Sequence, residues 1–355
     1  MIYNKNLIEK FYIWVVEWLT FFKKELNFGG YNINPKRIFY WLNGFHSKRP
    51  VRYDFNKWNY KSFVSDIEMI KLTFLNYPYS KLLRNKMIFA NYFRNYFKTP
   101  KNYFLLSNGY IKTVSDDIAL KTFEDIERFL EQKNNIILKP VFGARGNGIY
   151  LLEAGVDSQI LLNKKKISKQ ELSTFLTNLN EYLGCEFIDQ GRFSKKFFQQ
   201  TTNTVRITTM YNEETKSAFI PYALMRFGRP KTIPADNSAI GGLLSMIKLE
   251  TGELEAAIEF DSNGEPIYYD SHPETGEIIK GVSIPNWRNL VKKILEIAEI
   301  IGPIIKIVGW DIVLRDEDFV VIEGNNGPDL FIQGISTPLA KYDNVKSFLK
   351  CYKIR

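Results

Sequence analysis

Between residues 307 and 328 the chain reads IVGWDIVLRDEDFVVIEGNNGP, two β-branched apolar runs around a short charged turn. That is the signature of a hairpin. Three polar side chains, Asp311, Glu323 and Asn325, interrupt it. A carboxylate set among Ile, Val, Trp and Phe is costly unless it is paired or binds a cation. The hairpin must therefore turn these groups toward a common polar site. Glu323 and Asn325 share a strand face, and Asp311 can lie opposite them on the partner strand. Three oxygen donors without a soft ligand suit Mg²⁺, which takes its other ligands from water and phosphates. The plain alternative is a hairpin with three surface polar residues. A nuclease pattern, Asp with Glu-x-Lys, is the other, but Asn325 stands where the lysine belongs.

The chain has 355 residues, 45% hydrophobic and 15% aromatic, enough to bury the cores of two or three subdomains. A net charge of +9 fits an acidic partner such as a nucleotide, an anionic glycan or a membrane surface. The lysines are spread along the chain, which equally serves solubility, and nucleic acid is not expected as a partner. Two distant cysteines, Cys185 and Cys351, argue for a reducing, cytoplasmic setting without disulfides. Two histidines, His46 and His272, are too few for a His-rich zinc site. The run Phe11 to Phe22, broken by Glu17, is too short to span a bilayer and lacks a signal-peptide cleavage site. It reads as an aromatic amphipathic helix packed on its own domain, with peripheral membrane contact as the alternative.

Residues 1–82 read as a helical region, with apolar spacing through Leu7–Leu26, Ile38–Leu42 and Phe63–Leu75, and helix starts at Asn34-Pro35 and Asp54. Leu82–Phe97 continues the helical spacing. Residues 83–185 mix short helices and strands, among them a helix at Asp125–Gln132, strands Ile136–Pro140 and Ile149–Leu152, and a helix at Ser168–Tyr182. Residues 186–355 are mostly antiparallel β: Cys185–Asp189, then hairpins Val205–Tyr211 with Ser217–Arg226 and Leu243–Leu249 with Leu254–Phe260. Pro266–Tyr269 and Ile278–Gly281 flank a further loop. The helix Trp287–Ile301 precedes the opening hairpin.

Other polar groups stand in places that need an explanation. Lys139 ends an apolar strand and meets the turn Gly143-x-x-Gly146-x-Gly148, with Arg145 inside it. Glycines let backbone amides approach phosphates, and a lysine adds charge. A flexible surface hairpin fits the same letters. Arg206, after Asn203-Thr204-Val205, sits on a buried strand and needs an anion, either a substrate group or a structural acid. Arg226 carries the same ambiguity. Asp236-Asn237 with Gly241-Gly242 forms a polar loop that could close over a substrate or simply lie on the surface.

In this order the set resembles the ATP-grasp proteins. It is most similar to the sugar-transfer-associated branch found among bacterial surface-polysaccharide genes. The segments carrying the resemblance are Lys139, Gly143–Gly148, Glu186–Ile188, Asn203–Arg206, Asp236-Asn237, Gly241-Gly242, His272-Pro273 with Thr275-Gly276, and Gly309–Asp311 through Glu323–Asn325, over roughly residues 83–340. The resemblance implies an α+β, ATP-grasp fold in which two α+β subdomains grip ATP behind an N-terminal helical region. It implies that Lys139, with Lys86 as a second candidate, contacts the α- and β-phosphates, and that the glycine-rich turn with Arg145 covers them. Glu186, Phe187 and Ile188 would form a strand beside adenine, with Gln190 or Asp189 reaching the ribose. Asp311, Glu323 and Asn325 would hold Mg²⁺, and Arg206, with Arg226, would steady the γ-phosphate and a reacting carboxylate. Asn203, Asp236, Asn237 and His272 would face substrate.

The expected reaction is ATP-dependent ligation of a small carboxylate to an amine, one of them sugar-linked, through an acyl-phosphate. No protein nucleophile is required, so neither Cys185 nor Ser271-His272 is expected to act as one. A kinase on the same scaffold and a non-catalytic nucleotide- or glycan-binding protein are the rival functions. Neither the acid, the amine nor the oligomeric state is legible.

Overall fold

A computed structural model describes residues 7–29, 33–132, 135–143, 148–155, 159–262, 264–327 and 330–355. The chain opens with helices α1 (Leu7–Gly29), α2 (Pro35–Leu42), α3 (Arg49–Arg52), α4 (Asp66–Phe74), α5 (Lys81–Arg84) and α6 (Lys86–Phe93). Asn34 caps α2 by accepting from the Arg37 amide, and Ser65 with Glu68 closes a capping box on α4. Asp54 starts no helix. Its carboxylate accepts from the Asn56 and Lys57 amides and forms a turn, a local option open to any aspartate. The run expected to pack on its own domain buries Phe21 but leaves Phe11, Trp14, Leu19 and Phe22 exposed.

Two antiparallel sheets of seven strands follow. The first contains β1 (Asn102–Ser107), β2 (Tyr110–Thr113), β3 (Ile136–Pro140), β4 (Tyr150–Ala154), β5 (Ile160–Leu162), β6 (Lys165–Ile167) and β7 (Tyr182–Glu186), ordered β2-β1-β7-β3-β4-β5-β6. Helices α7 (Phe123–Glu131) and α8 (Lys169–Thr177) cover one face, where Ile126, Leu130, Leu172 and Leu176 meet Phe104, Leu138 and Leu152. On the other face Val141, Leu183 and Cys185 meet Met87 of α6. Strand β7 sits three residues earlier than the sequence pattern suggests and ends at Glu186, so Phe187 and Ile188 lie beyond it. Periodicity alone passes over the β1–β2 and β5–β6 hairpins. Their turns, Asn108-Gly109 and Asn163-Lys164, have positive φ at both positions, the backbone of a type I′ hairpin.

The short helix α9 (Arg192–Lys195) leads to the second sheet. It holds β8 (Thr204–Asn212), β9 (Ser217–Phe227), β10 (Leu243–Ile247), β11 (Leu254–Phe260), β12 (Pro266–Tyr269), β13 (Ile307–Leu314) and β14 (Phe319–Asn325), ordered β12-β11-β10-β9-β8-β13-β14. Ile278–Gly281 adds no strand, only a bridge between Ser271 and Ile278. Alternation on β8 explains the layers. Val205 and Ile207 pack under α10 (Trp287–Ile301) together with Met225, Trp310 and Ile312. Met210 points the other way, with Leu224, Leu244 and Ile307, against α4 and α11 (Asp343–Cys351). Thr204, Arg206 and Thr208 share this second face. Both faces are covered, so every residue of β8 is buried.

Candidate active site

The site occupies the polar end of that second face. Register sets it: Asp311 pairs with Arg206 across β13–β8 and with Glu323 across β13–β14, while Gly309 pairs with Asn325. The β13–β14 register shifts after Asp311, where Ile312 pairs with Val321. The extra residue lets Val321 join the core under α10 while Glu323, two positions on, faces Asp311. The opening hairpin thus carries Asp311, Glu323 and Asn325 to one place through a bulge that the letters do not announce.

Asp311 is 1% exposed. Arg206 Nε donates to Asp311 Oδ1, Arg206 Nη2 donates to Oδ2 at 2.7 Å, and Arg226 Nη2 donates to Oδ2 at 3.0 Å. Burial works to raise the Asp311 carboxyl, but the two guanidiniums outweigh it and hold the group well below the usual range. Asn325 Nδ2 donates to Asp311 Oδ2 and to Glu323 Oε1, each at 3.4 Å, so the three end groups converge with the amide nitrogen turned toward the carboxylates. Removal from water and the adjacent Asp311 charge push the Glu323 carboxyl up, against the opposing pull of Lys86. Among the described residues no three His, Cys, Asp or Glu side chains gather as a metal cage. The two carboxylates suit an ion that completes its shell from water and phosphate, and Asn325 would join them as a ligand with its side-chain amide turned over to present the oxygen.

Lys86 reaches Glu323 from another element, and Lys139 lies beside Lys86. Lys86 starts α6, whose cap is Asn85, and its amide donates to Val141 O at the end of β3. Its Nζ donates to Gly143 O at 2.9 Å and lies 3.9 Å from Glu323 Oε2. Lys139, on β3, is buried beside the Cys185 thiol and near Lys86. It has no carboxylate partner among the described residues. Desolvation, with the Lys139 charge adding to it, pulls the Lys86 amine down against the attraction of Glu323. Burial also pushes the Cys185 thiol up, the opposite of what a nucleophile needs.

A family model described as sugar-transfer associated ATP-grasp matches residues 70–343. The chain belongs to this family. No curated protein matches it in sequence. Solved structures that resemble it include the ATP-grasp ligase PsnB with a minimal precursor, Mg and ADP (12% identity, TM-score 0.38, covering 78% of this chain and 62% of that one). Another is D-alanyl-alanine synthetase A from Vibrio cholerae (9%, 0.44, 77% and 65%). A third is the macrocyclase MdnC from Microcystis aeruginosa with its precursor peptide (11%, 0.37, 78% and 64%). The chain spans less than two thirds of the length of each.

The ATP-grasp fold places the remaining expected residues in two groups. Asp236 joins the polar ladder: its Oδ2 accepts from Thr204 N at 2.8 Å and Thr204 Oγ1 at 2.6 Å, and lies 3.5 Å from Arg226 Nε. Thr204, which sequence reasoning passes over, also accepts from Arg226 Nη2 at 2.7 Å. A strand threonine carries no signal of such a role in the letters. Asn237 accepts from the Ala239 amide and shapes the neighbouring turn.

The second group is structural. Gln190 donates to Phe198 O and Thr201 O and accepts from the Asn203 amide. Asn203 is fully buried, donates through Nδ2 to Ser194 O and Phe198 O, and accepts from the Gly228 amide. Together they clamp residues 198–203 behind the site. His272 is also fully buried, stacked on Phe198 with Nε2 3.0 Å from Gly228 O, and desolvation pulls its pKa down. Glu186 Oε2 accepts from the Lys101 amide, which ties β7 to the start of β1. Ile188 packs on Val313 and Val320 of the ligand hairpin. Gly148 has φ +71° and lies against Tyr182, a position closed to a side chain. Arg145 and Gly146 fall outside the described residues.

Proposed function

We propose that this ATP-grasp chain binds Mg·ATP between its two sheets and ligates a small carboxylate to an amine, one of them sugar-linked, in surface polysaccharide modification. The observation that carries the reading is a pair of neighbouring buried lysines: Lys86, 3.9 Å from Glu323, and Lys139 beside it, without a carboxylate partner among the described residues. A buried cation without a carboxylate partner calls for an anion, and Glu323, desolvated beside the Asp311 charge, calls for a cation; a metal-bound polyphosphate supplies both. The family's own description, sugar-transfer associated, supports the sugar link.

Lys86 and Lys139 would hold the α- and β-phosphates, and Asp311, Glu323 and Asn325 would hold Mg²⁺. The ion, when bound, neutralises phosphate oxygens so that an anionic nucleophile can approach. Arg206 and Arg226, freed from Asp311, would orient the γ-phosphate and the acceptor carboxylate. A carboxylate oxygen bonds to the γ-phosphorus as the bond to the ADP oxygen breaks. The amine then bonds to the acyl carbon, phosphate departs with the acyl C–O electron pair, and the amine's proton passes to solvent.

The test is ADP release with panels of acids and amines. Release that depends on both, with amide formed, is expected. ATP binding without turnover on any carboxylate counts against the ligase. A stable phosphorylated product that ignores added amine would make the protein a kinase.

A further inference from the structure

Helix α1 is mounted with its polarity reversed. Glu17 and Glu25 face inward and are buried. Glu25 accepts from Arg37 Nε at 2.9 Å and from the Ser47 amide at 3.0 Å. Phe21 stacks on His46, whose Nε2 lies 3.2 Å from Phe21 O. These contacts fix the helix to α2 and the 44–49 turn. The outward face is apolar: Phe11 and Leu19 are each 64% exposed and Trp14 53%, with Phe22 and Leu26 beside them. At 3.6 residues per turn Phe11, Leu19, Phe22 and Leu26 fall within an arc of roughly 80°, clear of the buried stripe Glu17, Phe21 and Glu25. Trp14–Trp18, Trp18–Phe22 and Phe22–Trp41 ring contacts carry the surface onto α2, where Leu42 is 79% exposed. An apolar patch of this extent marks a contact surface.

The charge around it identifies the partner. Residues 1–62 hold eleven lysines and arginines against four acids, +7 of the chain's +9. Lys23, on α1 roughly 40° beyond Leu19, and Lys36, at the start of α2, are exposed. Aromatic side chains flanked by lysines suit the boundary between headgroups and acyl chains. A second copy seated face to face would oppose +7 with +7, whereas an anionic headgroup layer answers that charge. Among the described residues no helix is long and apolar enough to cross a membrane, so the contact is in the plane of the surface. We infer that α1 and α2 dock the protein on an anionic bilayer through this aromatic face.

The test is flotation of the full chain with vesicles of phosphatidylcholine alone and of phosphatidylcholine with phosphatidylglycerol. Binding to the anionic vesicles is expected, with a blue shift of tryptophan emission and loss at high salt. Phe11→Glu with Leu19→Glu should cut binding more than tenfold while leaving the melting temperature in place, since both side chains are 64% exposed. Lys23→Glu and Lys36→Glu should each cost on the order of fivefold. Absence of binding to anionic vesicles overturns the inference, as does unchanged binding by the Phe11→Glu, Leu19→Glu variant. Self-association abolished by that variant, without vesicle binding, would assign the face to a second copy instead.

Discussion

Arg206 and Asp311 oppose each other in register on adjacent strands, and the guanidinium fork spans both carboxylate oxygens with each group buried. Arg226 adds a third contact from β9. The carboxylate assigned to the cation is therefore the one that two arginines hold in the ligand-free chain. Under the proposed function Asp311 would ligate Mg²⁺ only with phosphate oxygens taking over its arginines, so ion and triphosphate would bind together. Calorimetry should show weak Mg²⁺ binding alone and strong binding with ATP.

The same pair makes Asp311 a structural residue besides its proposed role as a metal ligand. Asp311→Asn leaves two guanidiniums facing a neutral amide, and breaking a buried pair costs roughly 3–5 kcal/mol. Denaturant unfolding should show that loss along with lost turnover. Arg206→Met with Asp311→Leu should cost less than the sum of the two single changes. Additive costs would mean that the two groups do not interact in solution.

Lys139 behaves in the opposite sense. It is buried without a carboxylate partner among the described residues. Lys139→Met should leave the ligand-free chain as stable or about 1 kcal/mol more so. The same change should weaken Mg·ATP at least tenfold, a loss of about 1.4 kcal/mol. Unfolding curves with and without nucleotide separate the two effects. A large loss of stability without nucleotide would assign Lys139 to the fold rather than to phosphate.

In the helical region, Asp66 gives a pH signature. Its carboxylate accepts from the His46 amide at 2.9 Å and from Arg49 Nε at 2.9 Å, and lies 3.0 Å from His46 Nδ1. Burial works to raise its pKa, but the His46 bond and the Arg49 charge outweigh it, so the folded value falls well below the ordinary 3.8. A depressed folded value means stability that is fully present above the unfolded pKa and lost as pH falls through the folded one. The stability gap between the wild type and Asp66→Asn should be constant from about pH 5 to 8 and shrink below about pH 4. Urea titrations across that range measure it, and a gap that widens toward acid would contradict the pairing.

Charge among apolar letters made Asp311, Glu323 and Arg206 legible, because a strand interior tolerates such groups only with partners. Glu323 reaching the right face was less legible, since strict alternation would have put it with Val321 and the bulge after Asp311 exists only in the paired strands. Thr204 was silent because its role depends on Asp236 and Arg226, distant in sequence. The clamp of Gln190 and Asn203 resembled ligand contacts in one dimension, since an amide offers the same atoms to a ribose or to a carbonyl. The reversed mounting of α1 was hidden for a similar reason: periodicity gives two faces but not which one meets the protein.

Gly324 tests how the fold places the ligands. It lies between Glu323 and Asn325, on the strand face opposite theirs. A Cβ there would meet Phe89 Cε2 at 2.7 Å and Leu83 Cδ2 at 2.9 Å. Its absence lets α5 and α6 press onto the edge strand β14, and this approach carries Lys86 round the edge to within 3.9 Å of Glu323. Gly324→Val should push α6 and β14 apart. Overpacking of this kind costs about 1–3 kcal/mol. The larger consequence falls on function, since the basic and acidic halves of the phosphate site would separate: Mg·ATP affinity should fall at least tenfold, more than affinity for free ATP. Gly276, which has nothing within 4 Å of the position a Cβ would take, supplies the control, although its φ of +75° adds backbone strain of its own. Gly276→Ala should lower stability without moving Mg·ATP affinity. Equal affinity losses at Gly324 and Gly276 would show that the close approach of α6 to β14 does not set the site.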